Sequence, residues 1–178
     1  MRVAIIAICM FVLAGCFGSS SVLMLKEYNP TMQISSHKSV LINSISDTRA
    51  NQSIVATITD SKGSVEHSIM LGASLKDIFA KALKEQLRAS GVTNGRDIIV
   101  DIEIAEFSAN LSGYSGENLK GKSKVIIKIK KGDTTITKTI SQPQSKYVLL
   151  PRVAEFEPFI TDMLNDMVLS SAKAILAN

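Results

Sequence analysis

The chain has 178 residues, with 20 basic and 16 acidic side chains and a formal net charge of +4. This charge is too small to indicate nucleic-acid binding, and an aromatic content of 5% without tryptophan does not favour a base-stacking surface. Two histidines and two cysteines offer little for a metal centre or for acid–base catalysis, so we expect no metal and no cofactor. The length suits a single domain.

The N-terminal residues have the pattern of a secretory signal peptide. Arg2 precedes an apolar run, residues 3–13, and the small residues Ala14 and Gly15 follow. A basic start, a short apolar run and small residues before a cleavage point are typical of such a signal, whereas a membrane-spanning helix needs roughly 20 apolar residues. We therefore predict that residues 1–15 are removed.

Cys16 stands directly after this signal. Leu13-Ala14-Gly15-Cys16 is similar to the lipobox of bacterial lipoproteins, and the resemblance implies cleavage before Cys16 and acylation of its thiol and of the new N-terminus. Several acyl chains together give stable membrane anchoring. Phe17 occupies the position where an aspartate would favour the inner membrane, so resemblance to sorted lipoproteins favours the periplasmic face of the outer membrane. The alternative is an ordinary signal peptide that ends near a cysteine.

The rest of the chain is predicted to alternate between strands and turns. Residues 16–38 hold the lipidated cysteine, a tether over residues 17–21 and a candidate first strand over residues 22–28, and residues 39–178 form the domain. Its β-branched or alternating segments are predicted strands: residues 40–45, 54–59, 65–71, 98–107, 124–130 and 135–140. Residues 147–150 are a candidate edge strand, and residues 108–122 a predicted connection.

Two turn sequences join neighbouring strands. Asp60-Ser61-Lys62-Gly63 and Lys131-Gly132-Asp133 each separate two alternating segments, which predicts two β-hairpins. Because hairpins predominate and crossovers are few, we predict an α+β fold. It is a two-layer sandwich, in which two amphipathic helices cover one face of a mainly antiparallel sheet.

Both predicted helices have recognisable ends. The first begins after Ser74, which forms a capping box with Asp77, and it ends at Gly91, where a left-handed cap belongs. The second begins near Glu155, with Pro158 in its first turn. Apolar residues recur at helical spacing in both segments, so each helix should pack against the sheet.

Several of these features together resemble the YajG-type bacterial lipoproteins. They are the lipobox, the strand over residues 40–45 that leads into Asp47-Thr48-Arg49, and the hairpin before a helix with Leu75, Leu83, Leu87 and Gly91. The resemblance implies an envelope lipoprotein of poorly defined function. Asp47 and Arg49 carry its polar signature. They would either meet a partner or close an Asx-turn and form an ion pair, and the structural role is favoured.

Three further patterns suggest chemistry, and each has a simpler reading. The stretch from Gly116 to Ser123 matches the P-loop spacing, but a strand pattern follows it instead of a helix, so we predict no nucleotide binding. His67 lies on the apolar face of a strand, as a satisfied histidine does. Asp101 and Glu103 share one strand face, where solvent-facing charge is the simpler account.

The sequence therefore favours a non-enzymatic outer-membrane lipoprotein. Its periplasmic domain would bind or stabilise another envelope component or assembly, with a membrane contact through the acyl chains and an envelope protein as partner. The alternative is a lipid- or glycan-binding accessory of an envelope transport system, in which Lys128 and Lys130 contact anionic lipid. Protection of a sheet edge explains these two lysines equally well. A cell-wall hydrolase is disfavoured, because two isolated histidines supply no nucleophile–base pair.

The lipobox makes a direct prediction about acylation. In cells grown with a clickable fatty acid, we expect the wild-type chain to carry the label and the Cys16→Ser chain to carry none, because the thiol is the atom that accepts the lipid. Immunoblotting of both chains controls for expression. Equal labelling of the two chains would show that Cys16 is not the acylated residue.

Overall fold

The computed structural model describes residues 19–30, 35–113 and 116–177 of the chain. The predicted signal peptide, Cys16 and the first two tether residues lie outside the described residues. The described part holds eight strands and two α-helices: β1 Ser19–Leu23, β2 Ser39–Asp47, β3 Ile54–Thr59, β4 Val65–Leu71, α1 Leu75–Ala89, β5 Thr93–Asn94, β6 Ile98–Ser112, β7 Leu119–Lys131, β8 Thr134–Lys146 and α2 Phe156–Leu176. A 3-10 turn, Val153–Glu155, leads into α2. Neither described helix is long and apolar enough to cross a membrane.

β6 is the strand around which the sheet is built. β7 pairs with one edge of β6 along almost its whole length, and β8 follows beyond β7. The other edge of β6 is divided between two partners, because β2 pairs with it up to Ile104 and β3 pairs with it from Ala109. β5 lies beside β2, while β4 and then β1 lie beyond β3. The sheet therefore forks along β6.

The prediction of a mainly antiparallel sheet was wrong. Four of the seven pairings between described strands are parallel, namely β1–β4, β2–β5, β2–β6 and β3–β6. The reason is that each parallel pair joins strands separated in the chain by at least two further elements, and such long connections permit parallel pairing, whereas short turns give antiparallel hairpins. The two predicted hairpins, β3–β4 and β7–β8, are confirmed as antiparallel pairs.

Several predicted boundaries also need correction. Ser19, Ser20 and Ser21 are not part of a tether, because they belong to β1, which pairs with β4 and ends at Leu23. The predicted connection over residues 108–122 is largely strand, since β6 continues to Ser112 and β7 begins at Leu119. Small and polar residues in this part of β6 interrupt the hydrophobic periodicity, so the sequence does not predict that the strand continues. Ala109 and Leu111 are nevertheless buried, as the alternation of a strand requires. Residues 147–150 form no strand.

The ends of α1 are confirmed in detail. The Ser74 hydroxyl accepts a hydrogen bond from the Asp77 amide (3.1 Å) and donates one to its carboxylate (2.6 Å). At the other end, the amide of Gly91 donates to the Arg88 carbonyl and the amide of Val92 donates to the Leu87 carbonyl. This pair of bonds is the Schellman arrangement, and Gly91 supplies its left-handed residue with φ +79°.

α2 packs closely on the sheet. Its predicted apolar residues are buried, and it contacts β7, β8 and α1, while α1 also contacts β2. Gly121 of β7 makes this approach possible, because a Cβ at that position would lie 2.4 Å from the Met163 sulfur and 2.7 Å from a Phe159 ring carbon. That the two helices together cover one face of the sheet stays a prediction.

Two glycines allow a matched test of the α1 terminus. Both Gly63 and Gly91 have positive φ, so alanine at either site costs about 1 kcal/mol from backbone strain. Only at Gly91 would the new Cβ also meet a backbone atom, the Ser36 carbonyl oxygen at 2.8 Å. We expect Gly91→Ala to lower the free energy of unfolding in urea by about 2 to 3 kcal/mol and Gly63→Ala by about 1 kcal/mol. Equal losses would show that the Ser36 segment moves aside without cost.

Candidate functional site

The fork of the sheet contains the polar signature found in the sequence. Between Ile104 and Ala109, β6 pairs with neither β2 nor β3 along the described ladders, and the β6–β7 ladder is irregular at this point. Asp47 ends β2, and the chain then crosses to β3. Arg49 lies in this crossing and turns its side chain into the fork.

The guanidinium of Arg49 is fully engaged inside the chain. Its Nε and Nη2 groups donate to the two Asp47 carboxylate oxygens at 2.9 and 2.8 Å. Nη1 donates to the carbonyls of Ile54 in β3 and Phe107 in β6, at 3.3 and 3.2 Å. Nη2 also donates to the Gln52 carbonyl at 2.8 Å. All five N–H groups of a guanidinium are thereby accounted for.

This geometry decides what the pair is able to do. The side chains of Arg49 and Asp47 are only 5% and 9% exposed. The Asp47 carboxylate also accepts the Arg49 amide at 3.2 Å, which is the Asx-turn expected from the sequence. Every guanidinium donor of Arg49 is thus engaged within the chain, and the pair links β2, β3 and β6.

A row of lysines lies on one side of β7. Strand side chains alternate between the two faces, so Lys128 and Lys130 share their face with three further lysines. We call the five together the lysine row: Lys120, Lys122, Lys124, Lys128 and Lys130. The sequence prediction placed Lys120 and Lys122 in a connection over residues 108–122, so it did not show that they continue the face formed by the other three lysines.

Carboxylates of β6 partly offset the lysine row. Lys128 lies opposite Asp101, and Lys122 contacts the Glu106 carboxylate at 3.3 Å. Hydrogen bonds from the side chains of Ser44 and Asn43, assisted by the charge of Lys128, hold the pKa of Asp101 below its ordinary value. Asp101 is therefore a charged hydrogen-bond acceptor within a surface network, which agrees with the prediction that it is a solvent-facing charge.

β8 forms a long open edge of the sheet. It pairs with β7 over 13 residues without a bulge, and no described strand pairs with its other edge. All its outward-facing side chains are exposed. Pro143 and Lys138 are edge-protecting residue types, yet most of the strand keeps its backbone groups available for pairing. Hydrophobic periodicity in the sequence did not identify this edge. Periodicity predicts that a segment forms a strand, but it does not predict which strands lie beside that segment.

His67 has serine partners on the neighbouring strand. Its Nδ1 contacts the Ser19 hydroxyl, and its Nε2 lies 2.8 Å from the Ser21 hydroxyl. Both ring nitrogens are therefore satisfied, and neither bonds to a carboxylate among the described residues. A serine beside a histidine is the start of a nucleophile–base pair, but the third group that would orient the ring is missing from these contacts.

Neither a phosphate-binding loop nor a metal-binding group is found in the described ranges. Residues 119–123 of the P-loop-like stretch belong to β7, whereas phosphate binding of that type needs the N-terminus of a helix. Within the described ranges, no group of three or more histidine, cysteine, aspartate or glutamate side chains is arranged to hold a metal ion.

The fork makes a clear prediction about stability. We expect Arg49→Met to lower the free energy of unfolding by about 3 to 5 kcal/mol, because it leaves the buried Asp47 carboxylate without its partner. Arg88→Met is the matched control: Arg88 pairs with Glu85 on the surface of α1, with 77% of its side chain exposed, and its loss should cost about 0.5 kcal/mol or less. Urea unfolding measures both.

Arg49→Lys separates charge from hydrogen bonding, since it keeps the cation but loses the planar fork of donors. We expect it to recover only part of the stability lost in Arg49→Met. Similar stability of Arg49→Lys and the wild-type chain would contradict the role assigned to the three carbonyl contacts.

Comparison with known proteins adds a shared fold. No protein-family model matches the chain, and no curated protein matches it. A crystal structure of an uncharacterized protein is similar over 88% of this chain and 98% of its own, with 11% identity and a TM-score of 0.60. At this identity the likeness shows the fold alone.

Weaker likenesses lead to two other crystal structures. Protein XCC0632 from Xanthomonas campestris, of family DUF330, has 18% identity and a TM-score of 0.48, with 83% of this chain and 92% of that protein covered. A minor lipoprotein from Acinetobacter baumannii has 15% identity and a TM-score of 0.42, with 78% and 94% covered. Both scores are too low to support an argument about this chain. The resemblance to the YajG-type family stays a prediction.

Proposed function

We propose that the chain is a lipid-anchored protein of the bacterial envelope, held at the periplasmic face of the outer membrane, and that it binds another envelope protein. The lipobox at Cys16 supports the anchor, and the open edge of β8 carries the proposal of a protein partner. The bound segment would extend the sheet by adding a strand beside β8.

The edge of β8 suits this kind of binding. Strand addition uses the backbone groups of an exposed edge for affinity, and side chains on the two faces of the added strand for specificity. An edge of 13 residues without a bulge offers a long and regular template. Natural proteins usually shorten, bend or cover such an edge, so its persistence here favours a partner that covers it.

We propose no enzymatic activity. The fork residues Asp47 and Arg49 are buried and mutually satisfied, and His67 has only serine partners among its described contacts. A binding module needs none of the catalytic groups that these arrangements lack.

Crosslinking from β8 tests the proposed partner. Thr137 and Lys138 are consecutive exposed residues of β8, so their side chains leave opposite faces of the strand. A photo-reactive amino acid at either position should give the same protein adduct in intact cells, because an added strand lies beside both faces. The matched control is Lys76, an exposed residue of α1, which should not give that adduct.

The pattern of adducts identifies the binding mode by mass spectrometry. Thr137 is paired with Lys128 and shares its face of the sheet. An adduct from Thr137 alone would indicate that the partner binds this face and not the edge of β8. The absence of any adduct specific to β8 across growth conditions would overturn the proposal.

The lysine row favours a second candidate, a lipid- or glycan-binding module. Five lysines along one face of the strand, about 6.6 Å apart except for a gap of about 13 Å at Ile126, form a basic strip that would suit a row of phosphates or carboxylates. Lys120, Lys124 and Lys130 make no ion pair with any described residue. The neighbouring carboxylates Asp101 and Glu106 reduce the net positive charge of this surface, which is why we rank it second.

This second candidate predicts that anionic lipid co-purifies with the protein. We expect Lys128→Glu combined with Lys130→Glu to remove that lipid. Lys76→Glu combined with Lys84→Glu, two exposed lysines of α1, should leave it bound. Mass spectrometry of the purified proteins gives the lipid content, and wild-type protein free of lipid would exclude this candidate.

A further inference from the structure

An exposed apolar segment follows the end of β8. Tyr147, Leu149 and Leu150 expose 51%, 71% and 48% of their surface, and we call these three residues the apolar tip. Three large side chains with apolar bodies are thus exposed within four residues, and groups of exposed apolar side chains mark contacts with proteins or membranes.

Hydrogen bonds to a buried side chain hold the backbone of the apolar tip in place. Val148, between Tyr147 and Leu149, points inward and is only 3% exposed. Its amide donates to the Asn118 side-chain oxygen at 2.8 Å, and its carbonyl accepts from the Asn118 side-chain nitrogen at 2.8 Å. The buried side-chain amide of Asn118 thus makes the two hydrogen bonds with the Val148 backbone that a neighbouring strand would otherwise make. The exposed side chains are presented outward by fixed backbone contacts.

Strand register places the apolar tip at the end of the sheet where the described chain begins. Pairing partners link the first residue of β1 to the last residue of β8 in one row across six strands: Ser19, His67, Ile58, Leu111, Leu119 and Lys146. β1 starts at this end and β8 finishes at it, so the described start of the domain and the apolar tip lie at the same end of the sheet.

Chain length then limits how far this end lies from the proposed anchor. Cys16 is three residues before Ser19, and three residues span at most about 10 Å. The row from β1 to β8 covers five strand spacings, about 24 Å. An acylated Cys16 therefore keeps the membrane surface close to the end of the domain that carries the apolar tip.

We propose that the apolar tip inserts into the same lipid leaflet that holds the acyl chains. This inference rests on the anchor of the proposed function, but not on its β8 partner. Tyrosine and leucine suit the boundary between headgroups and acyl chains, where an apolar body is buried and a hydroxyl stays hydrated. Lys146 lies 3.9 Å from the Glu155 carboxylate, so the insertion is driven by apolar burial more than by charge.

Two contacts with the leaflet would fix the orientation of the domain. The acyl chains hold the start of β1, and the apolar tip holds the end of β8, on the opposite edge of the sheet. The β7–β8 turn at Gly132 would then project away from the membrane by up to about 40 Å, the length of a 13-residue strand.

A fluorescent label at the apolar tip tests this inference. The mature chain, residues 16–178 with Cys16→Ser, is tethered to nickel-chelating phospholipid vesicles by an N-terminal histidine tag, so that the result does not depend on acylation. Leu149→Cys or Leu150→Cys then provides the single thiol for an environment-sensitive dye. The matched control is Ile136→Cys, an apolar β8 residue that is 37% exposed at the far end of the strand.

The expected result is a blue shift of the dye at position 149 or 150 on tethering, and quenching by lipids with brominated acyl chains, with neither effect at position 136. These effects should persist when salt is raised from about 0.1 M to about 0.5 M, because screening does not weaken apolar burial. Dyes at both tip positions that stay in water on tethered protein would overturn the inference. Failure of fatty-acid labelling at Cys16 would instead overturn the proposed anchor.

Discussion

The sheet depends on one buried ion pair. β6 accepts two parallel partners along a single edge, and the space between them leaves backbone carbonyls without ladder hydrogen bonds. Arg49 reaches into this space and donates to Phe107 of β6, to Ile54 of β3 and to the crossing loop. Asp47, at the end of β2, fixes the guanidinium in the required plane. Together with the β3–β6 ladder, these contacts position the β3–β4 hairpin relative to β2.

This joint also explains why a polar signature lies inside the domain. A buried arginine is tolerated when its charge is paired and all its donors are used. Lysine, with three donors on a flexible stem, does not match a carboxylate and three carbonyls in one plane. The contacts of the Asp-x-Arg step thus favour the structural role that the sequence analysis preferred for it.

Local features were accessible from the sequence because their causes are local. Ser74 and Gly91 fix the ends of α1 through groups within a few residues of each, and the turn at Gly63 needs only its own backbone freedom. The pairing of β6 with β2 and β3 was not accessible, because alternation places a segment in a sheet without naming its neighbours. The lysine row was missed for a related reason, since glycine and serine at positions 121 and 123 interrupt the apolar pattern that identifies a strand. At Val148, a side-chain amide takes the place of a strand, which periodicity does not reveal.

β1 gives the domain a mechanical property. It lies at one edge of the sheet, pairs only with β4 among the described strands and spans five residues. A pull between the proposed lipid anchor and the domain would therefore load the β1–β4 ladder before any other, and the central strands would bear force only after that ladder opened. Release of β1 would lengthen the connection by about 17 Å, since an extended residue spans about 3.3 Å. A short edge strand next to the proposed anchor would thus detach first and lengthen the connection. The domain could then follow a moving partner while its core stays folded.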